Sequence, residues 1–394
     1  MTTSRKSVTL LGSTGSIGTQ ALDVITRNAG LFEVYGLAAG GSSLPLLAEQ
    51  IRQYAPAIVA VHNSETRVEL ENLLAGVENP PQLLFGPEAA SVLASHPVDV
   101  VLNGMTGAVG LGPTLAALRA NNTLALANKE SLVIGGQLVK EAMKRSDQIV
   151  PVDSEHSAMA QALRGGRREE VTRFILTASG GPFRGMNREQ LQAVTPEEAL
   201  DHPTWNMGPV VTINSSTLVN KALELIEAHL LFDVPVDDIV VVVHPQSIVH
   251  SMIEFTDGSV IAQASPPDMR LPISLGLSWP DRISSGAQPC DWTKASSWTF
   301  EPLDTEVFPA VEIARRAVAA SAWHPAVFNG ANEELVDAFL RHEVRYSQIV
   351  DTLSAVLDAF DEYLVTNSLT RSVDGVMQAD AWARSWVRNQ DILA

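Results

Sequence analysis

Ser7-Val8-Thr9-Leu10-Leu11-Gly12-Ser13-Thr14-Gly15-Ser16-Ile17-Gly18 is the stretch on which the fold turns. A short apolar strand over 7–12 runs into three glycines, and a helix is predicted over Thr19–Thr26. Glycines at such a junction let the backbone approach a pyrophosphate, whose charge then faces the helix N-terminus. The spacing is GxxGxxG, a variant of the usual dinucleotide fingerprint, and by itself it reads as a tight turn as well. The chain downstream favours the dinucleotide. Strand patterns at Val34–Ala39, Ala57–Val61, His96–Leu102 and Thr123–Leu126 alternate with helical spacing at Leu44–Tyr54, Glu65–Leu74, Leu111–Arg119 and Lys129–Lys144. Such alternation predicts a parallel sheet covered by helices, closing a first domain over 1–151.

The second strand bears on which dinucleotide. A ribose-binding acid is expected about twenty residues past the glycines, yet this strand ends in Gly40-Gly41-Ser42-Ser43, and Glu33 precedes it. Hydroxyls without a carboxylate favour the 2′-phosphate of NADP; a plain polar turn is the other reading.

From Val152 the texture changes. Val171–Ala178 and Ile239–Val243 read as strands, and His250–Phe255 and Val260–Ala264 flank Asp257-Gly258, a hairpin signal. Ser216–Phe232 has one long helical pattern. The fold class expected is α/β: an N-terminal Rossmann-like dinucleotide-binding domain, a central α+β catalytic domain over 152–279 whose later strands are antiparallel, a connecting segment over 280–305, and a C-terminal helical bundle over 306–394. In the bundle, helices are predicted at Phe308–Ala320, Asn332–Leu340, Tyr346–Leu364 and Val373–Val387.

Composition narrows the partners. The 394 residues carry 27 basic and 45 acidic side chains, a formal charge of -18 spread along the chain. A polyanion is repelled by such a surface, and no Lys/Arg stripe with interleaved aromatics offsets it, so nucleic acid is not an expected partner. Cys290 stands alone, which excludes an intramolecular disulfide and makes a cytoplasmic setting the default. No apolar run approaches the roughly 18 residues of a membrane span, so no membrane partner is expected.

Asp153-Ser154-Glu155 follows the apolar Ile149–Val152 stretch. In extended backbone, residues two apart point to one side, where two carboxylates either meet a cation or repel. Hard oxygen ligands select Mg or Mn over zinc. A solvated acidic cap on a helix starting near His156 is the alternative. On the helix from Ser216, Asn220, Lys221 and Glu224 fall within an arc of roughly 100°, opposite Leu218, Ala222, Leu225 and His229. That helix can bury one stripe and present a carboxylate, a cation and an amide to a ligand, with Glu224 completing a three-carboxylate site. Ordinary surface spacing of Lys221 and Glu224 is the other reading. Ser179-Gly180-Gly181 and Ser215-Ser216 can hold phosphate or simply form turns. His202-Pro203-Thr204-Trp205-Asn206-Met207-Gly208-Pro209 puts a Trp and a Met in a Pro/Gly-bracketed loop, as a lid over a ligand or as filling for a core gap, with His202 at its base able to donate to phosphate. His244 and His250 are expected to pack or hydrogen-bond within the sheet.

In order along the chain, Leu11–Gly18, Leu126-Ala-Asn-Lys-Glu-Ser131, Pro151-Val-Asp-Ser-Glu-His156, Thr177-Ala-Ser-Gly-Gly-Pro-Phe183, His202–Gly208, Asn214–Glu224 and His244–Met252 closely resemble the motifs of the 1-deoxy-D-xylulose 5-phosphate reductoisomerase family. The resemblance implies Asp153, Glu155 and Glu224 as ligands of Mn, Mg or Co. It implies Ser154, Ser179, His202, Ser215, Asn220 and Lys221 as substrate-binding residues, several around the phosphate, with Glu155, Glu224 and the lid residues Trp205 and Met207 beside them. For NADPH it implies Gly12, Ser13, Thr14, Gly15, Ser16, Ile17, Gly18, Gly40, Gly41, Ser42 and Gly208, with Asn128, Lys129 and Glu130 near the nicotinamide end. Lys129 and Lys221 then join the three carboxylates as catalytic residues. Gly40-Gly41-Ser42 departs from the Gly-Lys-Asn of many members, which bears on the 2′-phosphate contacts and leaves the catalytic set intact. The activity implied is conversion of a phosphorylated deoxyketose, 1-deoxy-D-xylulose 5-phosphate, with NADPH into 2-C-methyl-D-erythritol 4-phosphate, by a homodimer. Rival readings are a metal-independent NADP dehydrogenase of the semialdehyde or homoserine type, and a dinucleotide-sensing dimer without catalysis.

Overall fold

The structure, a computed structural model, describes residues 5–205 and 207–390. Asn206 of the lid stretch, and the outermost residues of the first and last domains as read from sequence, lie outside the described residues. The chain opens with β1 (Lys6–Leu11), α1 (Ser16–Arg27), β2 (Phe32–Ala39), α2 (Leu44–Tyr54), β3 (Ile58–Val61), α3 (Arg67–Leu73) and β4 (Gln82–Phe85). It continues with α4 (Ala89–Ala94), β5 (Val100–Asn103), α5 (Leu111–Arg119), β6 (Thr123–Leu126), α6 (Lys129–Ala142) and β7 (Ile149–Pro151). The strands pair in the order β4-β3-β2-β1-β5-β6-β7, every pair parallel. Parallel strands are covered on both faces, which is why Val8, Leu10, Leu37, Val59 and Leu102 form one core with Ala21 and Ile25 of α1 and Leu47 and Ile51 of α2. The order reverses between β1 and β5. A crevice opens past the strand C-termini at such a reversal, and the glycine loop after β1 sits at this one.

This sheet belongs to a compact unit made of Met1–Ser131, Val139–Ser157 and Asp268–Gln288. The late segment is built in through Ile273 and Leu277, which share a core with Ala125 and Val152. The apolar spacing of that segment does not reveal which sheet it covers, because either sheet offers it a greasy face.

The second unit comprises Leu132–Leu138, Ala158–Pro267 and Pro289–Ala394. Its elements are the later turns of α7 (Ser154–Ala162), β8 (Val171–Ala178), α8 (Arg188–Leu191), α9 (Pro196–Leu200), α10 (Pro209–Ser216), α11 (Val219–Phe232), β9 (Ile239–Val243), β10 (Val249–Phe255) and β11 (Val260–Ala264). After α12 (Arg270–Ser278) of the first unit come β12 (Glu301–Pro302), α13 (Ala310–Ala320), α14 (His324–Leu340), α15 (Tyr346–Thr366) and α16 (Val373–Arg388). The sheet order is β11-β10-β8-β9-β12. It is mixed: β8 runs parallel to β9 and antiparallel to β10, and the β10–β11 pair closes at Asp257-Gly258 as the hairpin signal required. Phe174, Leu176, Ile239, Val241 and Ile253 on one face pack against Met159 and Ala162 of α7 and Leu225 and Ala228 of α11.

Two local differences from the sequence reading have plain causes. The helix expected over 216–232 begins at Val219 as α11, because Leu218 takes a left-handed conformation (φ 60°) that separates it from α10, which ends at Ser216. Apolar spacing runs through the break, since Ile213, Leu218, Val219 and Ala222 are all buried. In the bundle, α14 starts at His324, ahead of the expected Asn332, where the Ser321 hydroxyl accepts from the Trp323 N–H (3.2 Å) and meets His324 Nδ1 (2.7 Å) at the helix start.

Phe174 is fully buried in the second core, 5.6 Å ring to ring from Phe232. Truncation to alanine is expected to cost about 3–5 kcal/mol, read as a lower urea midpoint with an unchanged slope.

Candidate functional site

At the edge past β1, Gly12 has φ +84°, and a Cβ there would lie 2.8 Å from the Gly104 oxygen. A Cβ on Gly18 would lie 2.3 Å from the Gly12 oxygen and 2.5 Å from Ser13 Cα, so α1 can abut the loop only with glycine at this position. Gly15 caps α1 without any side-chain acceptor, which leaves the first-turn N–H groups of Ser16, Ile17 and Gly18 to a ligand or water. Thr14 is half-buried and Ser16 exposed beside these groups. The Ser13 side chain points inward and is buried, and its carbonyl accepts from Gln50 Nε2 (2.9 Å). Past β2, Gly40 and Ser42 are exposed beside Gly41. Glu33 lies at the opposite end of that strand, paired to Arg5 at 3.0 Å, and so cannot serve as a ribose acid.

Past β5 comes a turn that apolar periodicity does not mark. Asn103 is buried and donates to the Gly110 carbonyl (3.2 Å) and the Thr114 hydroxyl (2.9 Å). Its one signal in the sequence is the Asn103-Gly104 pair at a strand exit. Past β6, Asn128 is 1% exposed: it caps α6 by accepting from the Ser131 N–H (3.0 Å) and donates to the carbonyls of Met105 (2.8 Å) and Gly107 (3.1 Å). Asn128 therefore shapes the loop through its side chain, with Glu130 Oε2 3.1 Å from the same amide.

Past β7 lies the acidic pair. The backbone is not extended there: α7 begins at Ser154, Asp153 caps it, and Glu155 stands in its first turn. Capping and cation binding, rivals on the sequence alone, coexist here, because Asp153 Oδ1 takes the Glu155 N–H (3.2 Å) and faces His156 Nδ1 (3.1 Å) while Oδ2 meets Lys129 Nζ at 2.6 Å. Solvent does not bathe this cap, whose side chain is only 11% exposed. Burial pushes the Asp153 carboxyl up, and the Lys129 ammonium together with the His156 imidazole more than reverses this, holding it well below the usual carboxylate range. The Ser154 hydroxyl donates to Glu155 Oε2.

Helix α11 is not amphipathic in the way its spacing predicts. Lys221 is 4% exposed and Glu224 1%, so the polar arc is as buried as the apolar one and a solvated surface pair is excluded. Glu224 accepts from Asn220 Nδ2 with one oxygen and from Lys221 Nζ with the other. Helix α7 is one continuous element whose Met159 and Ala162 pack beside Leu225 and Ala228 of α11. Ligand oxygens of Asp153, Glu155 and Glu224 lie within 4.8 Å of one another. Three carboxylates at this separation, with only hard oxygen donors, fit Mg or Mn.

A third group converges at the base of the lid stretch. His202 Nδ1 accepts from the N–H groups of Thr204 (3.1 Å) and Trp205 (2.9 Å), which makes Nε2 the protonated nitrogen, facing the hydroxyls of Ser215 (3.0 Å) and Ser179 (3.3 Å). Two hydroxyls and a ring N–H directed at one place suit a phosphate. Burial lowers the His202 pKa. Trp205 packs edge-on to His250 at 6.0 Å, while Gly208 is exposed and caps α10. Behind the cradle, the Tyr346 hydroxyl donates to the Ser216 carbonyl (2.6 Å) and Asn332 Nδ2 to Asn214 Oδ1 (2.9 Å). These supports come from more than a hundred residues away, and no local pattern announces them. His244 serves its turn, Nε2 accepting from the Ile248 and Val249 N–H groups at 3.1 Å and Nδ1 facing the Thr299 carbonyl at 2.8 Å.

Known proteins resemble this chain over nearly its whole length. Residues 8–136 match the family model for 1-deoxy-D-xylulose 5-phosphate reductoisomerase, 149–232 that for its C-terminal domain, and 264–386 that for the DXP reductoisomerase C-terminal domain. The 1-deoxy-D-xylulose 5-phosphate reductoisomerase of Beutenbergia cavernae is 61% identical over 97% of this chain and 96% of its own length. That of Arthrobacter sp. is 58% identical over 96% of each. Among solved structures, the Zymomonas mobilis reductoisomerase in complex with NADPH superposes with a TM-score of 0.89 at 38% identity, covering 98% of both chains. A reductoisomerase in complex with NADPH, fosmidomycin and magnesium superposes at 0.91 and 33% identity, covering 97% of both.

Gly18→Ala is expected to weaken NADPH binding at least tenfold by fluorescence titration, since the loop must shift. His202 in the free protein should titrate below the ordinary value of about 6.5 by NMR, and inorganic phosphate should move its midpoint up, because the anion favours the imidazolium. With a depressed folded pKa, neutral His202 costs nothing above pH 6.5 and reduces stability as pH falls below it, where the unfolded chain takes the proton first. A free-protein midpoint above 6.5 would contradict this assignment.

Proposed function

The chain belongs to the 1-deoxy-D-xylulose 5-phosphate reductoisomerase family, and from that membership we propose how its own residues divide the work. The enzyme rearranges 1-deoxy-D-xylulose 5-phosphate and reduces the product with NADPH to 2-C-methyl-D-erythritol 4-phosphate, using a divalent cation, Mg or Mn. The observation that carries the assignment of residues is the meeting of Asp153, Glu155 and Glu224 oxygens within 4.8 Å.

Asp153, Glu155 and Glu224 would hold the cation. The first-turn N–H groups of α1 and the close approach at Gly12 and Gly18 would hold the NADPH pyrophosphate, with Gly40, Gly41 and Ser42 at the adenosine end and Lys129 and Glu130 at the nicotinamide end. When bound, the cation would supply Lewis-acid polarisation of substrate oxygens and NADPH would supply the hydride. The protein's part is placement. His202 Nε2–H and the hydroxyls of Ser179 and Ser215 grip the phosphate, and Asn220, Lys221 and Ser154 fix the sugar, so that phosphate binding is used to orient the reacting carbons. Lys129 Nζ, 2.6 Å from Asp153, and Lys221 Nζ, on Glu224, keep three clustered carboxylates from repelling one another and offer positive charge to oxygens that become anionic as the skeleton shifts. Trp205 and Met207 would close over the site and keep water from the branched aldehyde before its reduction.

Functionally we assign 1–151 to NADPH, 152–279 to the cation and substrate with its lid at 202–209, 280–305 to a connection and 306–394 to the supporting bundle, although 268–288 pack with the first unit. Cys290 lies in a stretch without regular structure, so a thiol-dependent dehydrogenase lacks a seated nucleophile. No helix among the described residues is long and apolar enough to cross a membrane. We place the enzyme in the cytoplasm as a homodimer on its resemblance to the family; sedimentation at the mass of one chain would refute the dimer.

NADPH absorbance should fall on adding 1-deoxy-D-xylulose 5-phosphate, stop with EDTA and resume with Mn. Glu224→Gln should fold and bind NADPH normally while losing at least about 100-fold in turnover and in Mn affinity. Normal turnover with unchanged Mn affinity by calorimetry would overturn the ligand assignment.

A further inference from the structure

Helix α10 ends at Ser216, and the left-handed turn at Leu218 interrupts the ladder that serves carbonyls in a helix interior. The Ser216 carbonyl takes instead the hydroxyl of Tyr346, at 2.6 Å and 130 residues further on, where α15 begins. Tyr346 is buried, so its hydroxyl needs a partner inside the protein. Its ring meets Phe183 edge-on, 5.1 Å centre to centre. Phe183 is buried too and closes the loop that carries Ser179, Gly180 and Gly181. That loop lies directly on the end of α10: Gly181 has φ +66°, and a Cβ there would stand 3.1 Å from both the Ser215 oxygen and Ser216 Cα. One buried side chain thus braces both segments whose hydroxyls, those of Ser179 and Ser215, face His202 Nε2. All of these residues belong to the second unit.

Resting on the phosphate cradle assigned to Ser179, His202 and Ser215, we propose that Tyr346 is a positioning residue for the substrate's phosphate: its hydroxyl fixes the end of α10, its ring edge fixes the Ser179 loop, and together they set the spacing of the two serine hydroxyls. Neither wall is stiff by itself. Ser215 sits in the last turn of a helix, where ends fray. Ser179 leads into two glycines at positive φ, which the chain can leave at little cost. A phosphate held by hydroxyls gains only where they converge, so a brace common to both walls acts on affinity without touching the anion. Burial raises the Tyr346 pKa, and the brace keeps its proton beyond the ordinary phenol value of about 10.

Inorganic phosphate binding to the full-length enzyme, followed by the His202 ring signals in NMR, tests this together with steady-state kinetics. Tyr346→Phe keeps the ring and removes the hydroxyl. Phosphate affinity is expected to fall about fivefold, the size of one neutral hydrogen bond, with KM for 1-deoxy-D-xylulose 5-phosphate rising alike and kcat little changed. Tyr346→Leu also releases Phe183 and is expected to cost about 25-fold, as the edge contact is lost as well. NADPH affinity should be unaltered in both. Phe360→Leu, in the same helix but packed on His324, Tyr363 and Trp382, should lower the thermal midpoint more than Tyr346→Phe and leave phosphate affinity unchanged.

Phosphate affinity in Tyr346→Phe within twofold of the parent, or an equal loss in Phe360→Leu, would overturn the proposal. So would a fall in kcat at constant KM, because Tyr346 would then act on the reacting carbons and not on the anion. Failure of the underlying cradle looks different: Ser179→Ala and Ser215→Ala would also bind phosphate like the parent, and both readings would fall together.

Discussion

Carboxylates brought within 4.8 Å of one another in a largely dry place repel, and the cation site proposed for this enzyme requires that they stay there. Cations make the arrangement tenable. Lys129 on Asp153 and Lys221 on Glu224 lower the cost of keeping these acids ionised. Desolvation alone would have pushed Asp153 toward its neutral form; the local charges win, so the oxygen is ionised and ready across the physiological range.

Around that centre the fold supplies two different kinds of anion cradle. The parallel sheet gives a row of strand ends at one edge, and the loop after β1 offers a ligand its backbone N–H groups, a geometry that depends on what is missing from Gly12 and Gly18 rather than on any side chain. The mixed sheet gives a cradle of side chains, Ser179, Ser215 and His202, stiffened from behind by Tyr346 and Asn332 of the helical bundle. The terminal helices thus take part in the site without contributing a reacting group.

Much of this is legible in the sequence wherever the determinant is local. Glycine spacing, strand alternation and the Asp257-Gly258 hairpin each depend on a few neighbouring residues, and the parallel sheet and hairpin follow from them. β4 and α4 escape a pattern-based reading because Gln82–Phe85 is short and half-exposed and has no alternation to detect. The break at Leu218 is hidden because a left-handed residue does not disturb apolar spacing. Residues 153–155 read as extended yet form a cap and a first turn, since the same letters serve both. Asp153, Glu155 and Glu224 can be named as candidates, but their meeting depends on how α7 lies on α11, and a helix wheel carries no information about its partner.

The ring of His202 is anchored by two backbone N–H groups on Nδ1, so it cannot turn over to present an acceptor toward the serines. Any competitor designed for that spot therefore meets a locked, donor-only wall on the imidazole side. Head groups rich in lone pairs, such as phosphonates, match it, whereas a neutral amide or a sulfonamide nitrogen brought to the same place would press hydrogen against hydrogen. Selectivity among phosphate mimics at the proposed cradle would thereby follow from one tautomer.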